Sequence, residues 1–460
     1  MNAVASNQPT RAFPAHYVDL KKEITQGHEE AIVASWKSLL DELAIRTKAI
    51  EQAGSNYIPQ VEFASLSKLS QEEIDRIKTV GSVVIRNVVD DDEAVGYKEA
   101  LKEYVKANPQ VHGFPEPNKQ FFEIYWSPSQ LRARSHPNVL AAGVFLNKLY
   151  RAEEDDIIDL DHNLVYADRF RIREPSKNPW GRHPPHIDGA STERWVDPEM
   201  RKAFQDILKG DWQRHDPFSM AGRLYGNSDM YGRPNQTSMF RSWQGWLAMS
   251  NTGPGEGTLR VFPAVQLSNA YIMLRPFFSP VDKTLKGDAY LDASNWVFDI
   301  SKPDITGIYI TPQGHFTGVA PTDEVHPHLR LETAILSVPR VQPGDMVFWH
   351  VDVIHSVEQY HSGPEDSSVM YIPAVPLTPK NVRYLARHRD QFLKRLPPPD
   401  FPQTELGESQ FVNKGQETDI AGPQGRIAMG LDPFEMPVGA TKGAQQAVNE
   451  ANAILAGEVA

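Results

Sequence analysis

Arg182-His183-Pro184-Pro185-His186-Ile187-Asp188-Gly189, answered far downstream by Gly344-Asp345-Met346-Val347-Phe348-Trp349 and then His355, decides how this chain is read. On an extended strand residues i and i+2 share a face, so His186 and Asp188 aim an imidazole and a carboxylate at one point. A second imidazole from His355 completes a two-histidine, one-carboxylate facial set. Such a set holds Fe(II) and leaves the opposite positions open for a cosubstrate and oxygen. An isolated His-x-Asp is common, and its plain reading is a pair of hydrogen-bonded strand-end side chains. Context favours metal: Gly189 lets the chain turn sharply after the carboxylate, and a Gly-Asp turn into an apolar strand shortly precedes His355.

Other histidines compete for the same role. His183 falls on the opposite strand face from His186, and Pro184 restricts its backbone, which suits a supporting role. His350 directly continues the apolar strand, whereas His355 stands beyond Val351-Asp352-Val353-Ile354, a segment long enough to cross back; His355 is the preferred distal ligand. His326 and His328 read as surface or hydrogen-bonded loop histidines.

Composition narrows the classes. A chain of 460 residues, 40% hydrophobic, buries a large core. It has no cysteine, which excludes structural disulfides, thiolate zinc sites and cysteine nucleophiles and suits a reducing compartment. Met1-Asn2-Ala3-Val4-Ala5-Ser6-Asn7-Gln8 lacks the charged start and apolar block of a secretory signal, and no apolar run is long enough to span a bilayer, so a soluble, cytoplasmic protein is expected. A net charge of −12 argues against a nucleic-acid surface. The local basic stretch Arg383, Arg387, Arg389, Lys394 and Arg395 reads as a solvated helix face.

The first part, residues 1–160, reads as a helical and mixed support region. Ile32, Val33, Trp36, Leu39, Leu40 and Leu43 recur at helical spacing. Ser70-Gln71-Glu72-Glu73 is a capping-box pattern opening a short helix, and the β-branched run Gly81 to Val89 reads as a buried strand. From about Leu164 the character changes to strands: Val165 to Arg173, His183 to Asp188, Ser242 to Ser250, Thr258 to Val265, Thr333 to Val338, Asp345 to Trp349 and Ser368 to Val375. Two long polar insertions, near 192–240 and 267–331, interrupt them, and 36 prolines lift that residue above its usual share of roughly 5%. The first leaves directly from the metal-ligand segment and is rich in turn formers, including Gly222, Gly226, Asn227, Ser228, Gly232, Pro234 and Asn235, so it is expected to form part of the pocket or its lid. A helix near Asn381 to Leu396 opens a C-terminal extension, 381–460, that breaks at Pro397-Pro398-Pro399 and ends in a Gly- and Ala-rich tail. The expected fold is mainly β with flanking helices: one catalytic domain built on a double-stranded β-helix of the jelly-roll or cupin type over residues 161–380. Trp243, Trp246 and Trp349 are expected to pack the barrel, and Thr192-Glu193-Arg194-Trp195 to border the pocket.

Taken in order, His186-x-Asp188, Gln244-Gly245-Trp246-Leu247-Ala248-Met249-Ser250, Gly257-Thr258-Leu259-Arg260-Val261-Phe262-Pro263, Gly344-Asp345 and His355 resemble the Fe(II)/2-oxoglutarate-dependent dioxygenases, particularly the phytanoyl-CoA-hydroxylase-like branch. More narrowly, Ile124-Tyr125-Trp126-Ser127-Pro128-Ser129-Gln130, Asp168-Arg169-Phe170-Arg171, the stretch from His186 to Trp195 and Tyr371-Ile372-Pro373-Ala374 resemble a bacterial and fungal family of unknown function within that superfamily. The resemblance implies that 2-oxoglutarate chelates the iron and O2 takes the remaining position. Oxidative decarboxylation then gives succinate, carbon dioxide and an oxidant that removes a hydrogen from the substrate.

Many such relatives carry an arginine on the last core strand to grip the far carboxylate of 2-oxoglutarate. Here Ser356 to Pro379 contains no arginine or lysine. A buried carboxylate still needs a cationic partner. Arg260 is the first candidate, with Arg171 and Arg241 behind it; each is alternatively a surface ion pair. The favoured function is an oxygenase that hydroxylates a small polar metabolite such as an amino acid or organic acid. A non-redox metal-dependent hydrolase or isomerase on a cupin-like barrel, or a non-catalytic binding barrel, stay open, as do the substrate and the oligomeric state.

Overall fold

The computed structural model describes residues 11–232 and 236–459. The N-terminal stretch Met1 to Gln8 and the turn formers Pro234 and Asn235 lie outside the described residues.

Helices carry much more of the chain than strands do. In helix Glu29–Ala53, Ile32, Trp36, Leu39, Leu40 and Leu43 are buried along one stripe, while Val33 points away and is 45% exposed. Helix Gln71–Val80 opens on the expected capping box: Ser70 Oγ accepts from Glu73 N at 3.3 Å and the Glu73 carboxylate accepts from Ser70 N at 2.8 Å.

The strands are β1 (Gln60–Glu62), β2 (Ser82–Arg86), β3 (Gly113–Phe114), β4 (Phe121–Phe122), β5 (Asp159–Asn163), β6 (Phe170–Arg173), β7 (Trp243–Ala248), β8 (Leu259–Val261), β9 (Phe278–Pro280), β10 (Trp296–Phe298), β11 (Leu336–Ser337), β12 (Met346–His350), β13 (His355–Val357), β14 (Ser367–Tyr371) and β15 (Pro376–Leu377). A large sheet runs β1-β2-β12-β7-β14-β6-β4-β3, antiparallel except for β1 with β2. A smaller sheet runs β11-β8-β13, and His186 adds to its β13 edge through a reciprocal backbone pair with His355, both N–H to O distances 3.0 Å. With strands this short and helices up to 25 residues long, the architecture is a mixed α/β one, a large sheet with flanking helices, rather than mainly β.

Pairing register decides which side chains meet. Trp349 lies opposite Gln244, Val347 and Tyr371 opposite Trp246, Val369 opposite Ala248 and Arg171 opposite Val369, so Gln244, Trp349 and Arg171 share one face. That face looks toward the smaller sheet, where Arg171 donates to Gly257 O at 3.2 Å.

Three expectations are corrected. His183 to Asp188 is no regular strand: Pro184 and Pro185 remove ladder donors, His183 takes a φ of 58°, and only His186 and Ile187 form bridges, with His355 and Val319. The insertion expected from 267 is not polar at its start, because Val265–Leu274 is a helix buried almost all round. The Gly- and Ala-rich tail forms helix Lys442–Ala456, which buries Ala444, Ala447, Val448, Ala451 and Ile454; the last four join a second apolar cluster with Val382, Leu385 and Phe392 of helix Pro379–Lys394.

Candidate metal centre

His186, Asp188 and His355 come together, their ligand atoms all within 4.8 Å of one another. His186 Nε2 lies 3.6 Å from Asp188 Oδ1 and His355 Nε2 3.4 Å from Oδ2. Gly189, with φ of 75°, turns the chain away immediately after the carboxylate.

Each imidazole is fixed through its other nitrogen. His186 Nδ1 contacts Pro184 O at 2.6 Å and His355 Nδ1 contacts Val353 O at 3.0 Å. A carbonyl only accepts, so both Nδ1 atoms carry a proton, and Nε2 is the nitrogen that each ring turns toward Asp188. Burial, aided by His355, pushes the His186 imidazole down to about 4. Burial alone would raise the Asp188 carboxyl, yet His186 and His355 hold it well below the usual range. Two imidazole nitrogens and one carboxylate oxygen converging in this way fit a divalent ion.

The supporting contacts come from the large sheet. The Gln244 amide, in its hydrogen-bonded orientation, donates to Asp188 Oδ2 at 2.7 Å and accepts from Trp349 Nε1 at 3.0 Å. The Trp349 ring lies 5.2 Å from that of His355, so it borders the cluster as well as packing the sheet. His183 accepts from Trp180 Nε1 at 3.1 Å and stays outside the cluster. His350 is fully buried, with Nε2 on Pro217 O at 3.0 Å and Nδ1 accepting from Asp352 N at 3.1 Å, which uses both ring nitrogens. His326 and His328 are buried rather than superficial; His328 bonds Tyr271 and Leu291 O.

The three arginines separate. Arg260 pairs with Ser356 while its neighbour Val261 pairs with His355, so Arg260 projects from the face opposite the ligand, and its Nη2 donates to Ile335 O at 2.6 Å. The structure therefore does not bring Arg260 to the cluster: strand alternation, which the notion of a barrel-lining strand does not settle, turns it outward. Arg171 is buried on the inner face, and its Nε has no hydrogen-bond partner among the described residues. Arg241, 11% exposed, lies 4.0 Å from Asp168 and adds to the charges that hold Asp188 ionised.

The first insertion borders the centre. Thr192 Oγ1 is 2.7 Å from Tyr231 OH and accepts from Tyr17 OH at 3.3 Å. Asp352, three positions before His355, is gripped by Arg194 at 2.8 Å and Arg223 at 2.7 Å, a buried ion triad that composition and spacing did not reveal. Beside it a cleft, partly open to solvent, is lined by residues that include Gly189, Arg223, Arg241, Val351, Asp352 and Lys380.

Fold and cluster together define a class: a mixed α/β protein with a candidate two-histidine, one-carboxylate metal centre. The profile of the Gig2-like family matches residues 11–431, and the chain belongs to that family. It is similar to the crystal structure of GlcNAc Inducible Gene 2, GIG2 (DUF1479), from Candida albicans, at 33% identity and a TM-score of 0.87, covering 98% of this chain and 97% of that one. It is 28% identical over 421 residues to the uncharacterized protein YbiU of Escherichia coli K12, covering 86% of this chain and 91% of YbiU. A Salmonella typhimurium LT2 structure, provisionally described as an oxidoreductase, matches at 26% identity and a TM-score of 0.74 over 92% of this chain and 99% of its own.

Proposed function

We propose that this protein is an Fe(II)- and 2-oxoglutarate-dependent oxygenase of the phytanoyl-CoA-hydroxylase-like branch, one catalytic unit in the cytoplasm that hydroxylates a small polar metabolite. The observation that carries the reading is the convergence of His186, Asp188 and His355 with both Nδ1 atoms tied to backbone carbonyls. The sheets support it: β6, β14, β7 and β12 are neighbours in one sheet, and the His186 segment, β13, β8 and β11 in the other, an order that a double-stranded β-helix would require. The description of the Salmonella relative as an oxidoreductase points the same way.

In this reading His186, Asp188 and His355 hold the iron. Bound with 2-oxoglutarate and O2, it supplies the oxidant that removes a hydrogen from substrate. Gln244 keeps one Asp188 oxygen hydrogen-bonded and so fixes the carboxylate's direction, and Pro184 and Val353 carbonyls keep each imidazole in the ligating tautomer. Arg171 stands opposite Val369 of β14, on the face that an arginine of the last core strand would serve, and takes the far carboxylate of 2-oxoglutarate. The aromatic cluster of Phe13, Tyr17, Tyr231 and Phe316, ring centroids 5.1 to 5.9 Å apart, joins three distant segments. The test is succinate formation from 2-oxoglutarate by wild type and Asp188→Ala. Formation that requires Fe(II) and O2 and vanishes in the variant is expected; equal formation in both would reject the reading.

A further inference from the structure

Resting on that reading, we propose that the cleft beside Gly189 and Val351 is the substrate pocket and that it selects an anion, with Lys380 and Arg241 gripping a carboxylate or phosphate of the substrate. Position is the first argument. Gly189 follows the ligand Asp188, Val351 and Asp352 precede His355 on its connection, and Arg241 Nη2 lies 3.4 Å from the Gln244 amide that bonds Asp188 Oδ2. The cleft's wall is therefore built from chain neighbours of the ligands, one residue from Asp188 and three from His355.

Charge is the second. Among the cleft's lining residues three cations, Arg223, Arg241 and Lys380, face one carboxylate, Asp352, in a chain whose net charge is −12. Asp352 is already taken on both oxygens, by Arg194 and Arg223, so it offers the ligand no repulsion that those guanidinium groups do not offset. Asp168, the carboxylate nearest Arg241, is bonded by Arg169 Nε at 2.9 Å, and Arg241 approaches it only to 4.0 Å, with the Gln244 side-chain amide at 3.4 Å and the Tyr166 ring beneath. Its planar fork is thus left for a bidentate partner.

Lys380 is the third. It is half-buried in the first turn of helix Pro379–Lys394, a turn with no acidic residue, where the helix dipole disfavours a cation. Its Nζ donates to Gly226 O at 2.9 Å, and Asp197 and Asp229 act on it only at longer range. An ammonium has three donors, and an anion in the cleft would complete them. Met200, Phe204, Met239 and Phe240 supply apolar walls, so the fitting ligand joins an anionic head to a short hydrocarbon body.

The experiment is calorimetric titration of the metal-free protein with inorganic phosphate, hexanoate and hexanamide, in wild type, Lys380→Met and Lys380→Arg. Hexanoate, phosphate or both should bind wild type, hexanamide should not, and the two anions distinguish a carboxylate from a phosphate head. Lys380→Met should weaken anion binding about tenfold or more, as expected for losing a charge-assisted hydrogen bond, and Lys380→Arg should restore most of it. Equal binding of hexanamide, unchanged binding in Lys380→Met, or no anion binding to wild type overturns the proposal. So does complete displacement of hexanoate by 2-oxoglutarate, which would make the cleft the cosubstrate's. None of these readings needs turnover, so failure of the oxygenase assignment would show separately, as absent succinate formation.

Discussion

Asp188 sits between two imidazoles whose other nitrogens are already spent, and Gln244 holds its second oxygen. Replacing His186, Asp188 or His355 by alanine removes one of three converging ligands, and Fe(II) affinity measured by titration should fall by roughly two orders of magnitude or more, above the 10–100-fold typical of supporting contacts. His350→Ala should instead keep iron binding and lower the thermal midpoint, because its buried nitrogens serve Pro217 and Asp352; iron loss in His350→Ala with retention in His355→Ala would reverse the assignment. The arginines give a second contrast. Arg171→Met should raise the KM for 2-oxoglutarate by roughly two to three decades, the cost of about 2–5 kcal/mol for stranding a buried charge, while Arg260→Met should leave it unchanged, since Arg260 bonds Ile335 O on the outer face. The opposite pattern would return the role to Arg260.

At the scale of elements, the Gly344-Asp345 turn sets how β12 enters the large sheet. Asp345 accepts from Asn87 N at 3.0 Å, Gln342 N at 2.8 Å and Arg86 at 2.5 Å, and Gly344 has φ of 86° with a Cβ there placed 2.1 Å from Val89 O. Gly344→Ala should therefore destabilise by about 1–3 kcal/mol or more through backbone strain and overlap, read as a lower thermal midpoint with iron affinity retained in the folded fraction; an unchanged midpoint would contradict it. This turn, the capping box at Ser70 and β7, β12 and β14 were legible because local chemistry fixes them: an αL glycine, a reciprocal cap, continuous apolar runs. The three cluster residues were legible because i, i+2 spacing survives even where prolines break the strand. Arg260 was misread because a strand's outward and inward faces depend on register, which the chain alone leaves open. Helix Lys442–Ala456 was missed although Ala444, Ala447, Val448, Ala451 and Ile454 keep helical spacing, because alanines give a weak apolar signal. The Arg194–Asp352–Arg223 triad joins residues too far apart in sequence for any spacing rule to find.

The whole molecule is closed by its C-terminal segment, which folds back over the N-terminal helices through Glu408. That carboxylate accepts from Tyr125 N at 2.6 Å, Trp126 N at 3.1 Å and Tyr104 OH at 3.2 Å. Burial outweighs these bonds and the nearby charge of Arg134, and pushes Glu408 from 4.5 up to about 7. A folded value above the unfolded one means that the neutral form stabilises fully below about pH 4.5 and that this contribution is lost as pH rises through 7. Relative to Glu408→Gln, wild type should lose about 3 kcal/mol between pH 4.5 and 8, measured as the difference between their denaturation free energies; a pH-independent difference would refute it. The claim on which everything else depends is that this fold presents a facial iron site to a keto acid. Anaerobic addition of Fe(II) and then 2-oxoglutarate to the purified protein tests it most directly. A weak visible charge-transfer band that saturates at one iron per chain and is absent in Asp188→Ala is predicted; tight Fe(II) binding with no band on adding 2-oxoglutarate would contradict it.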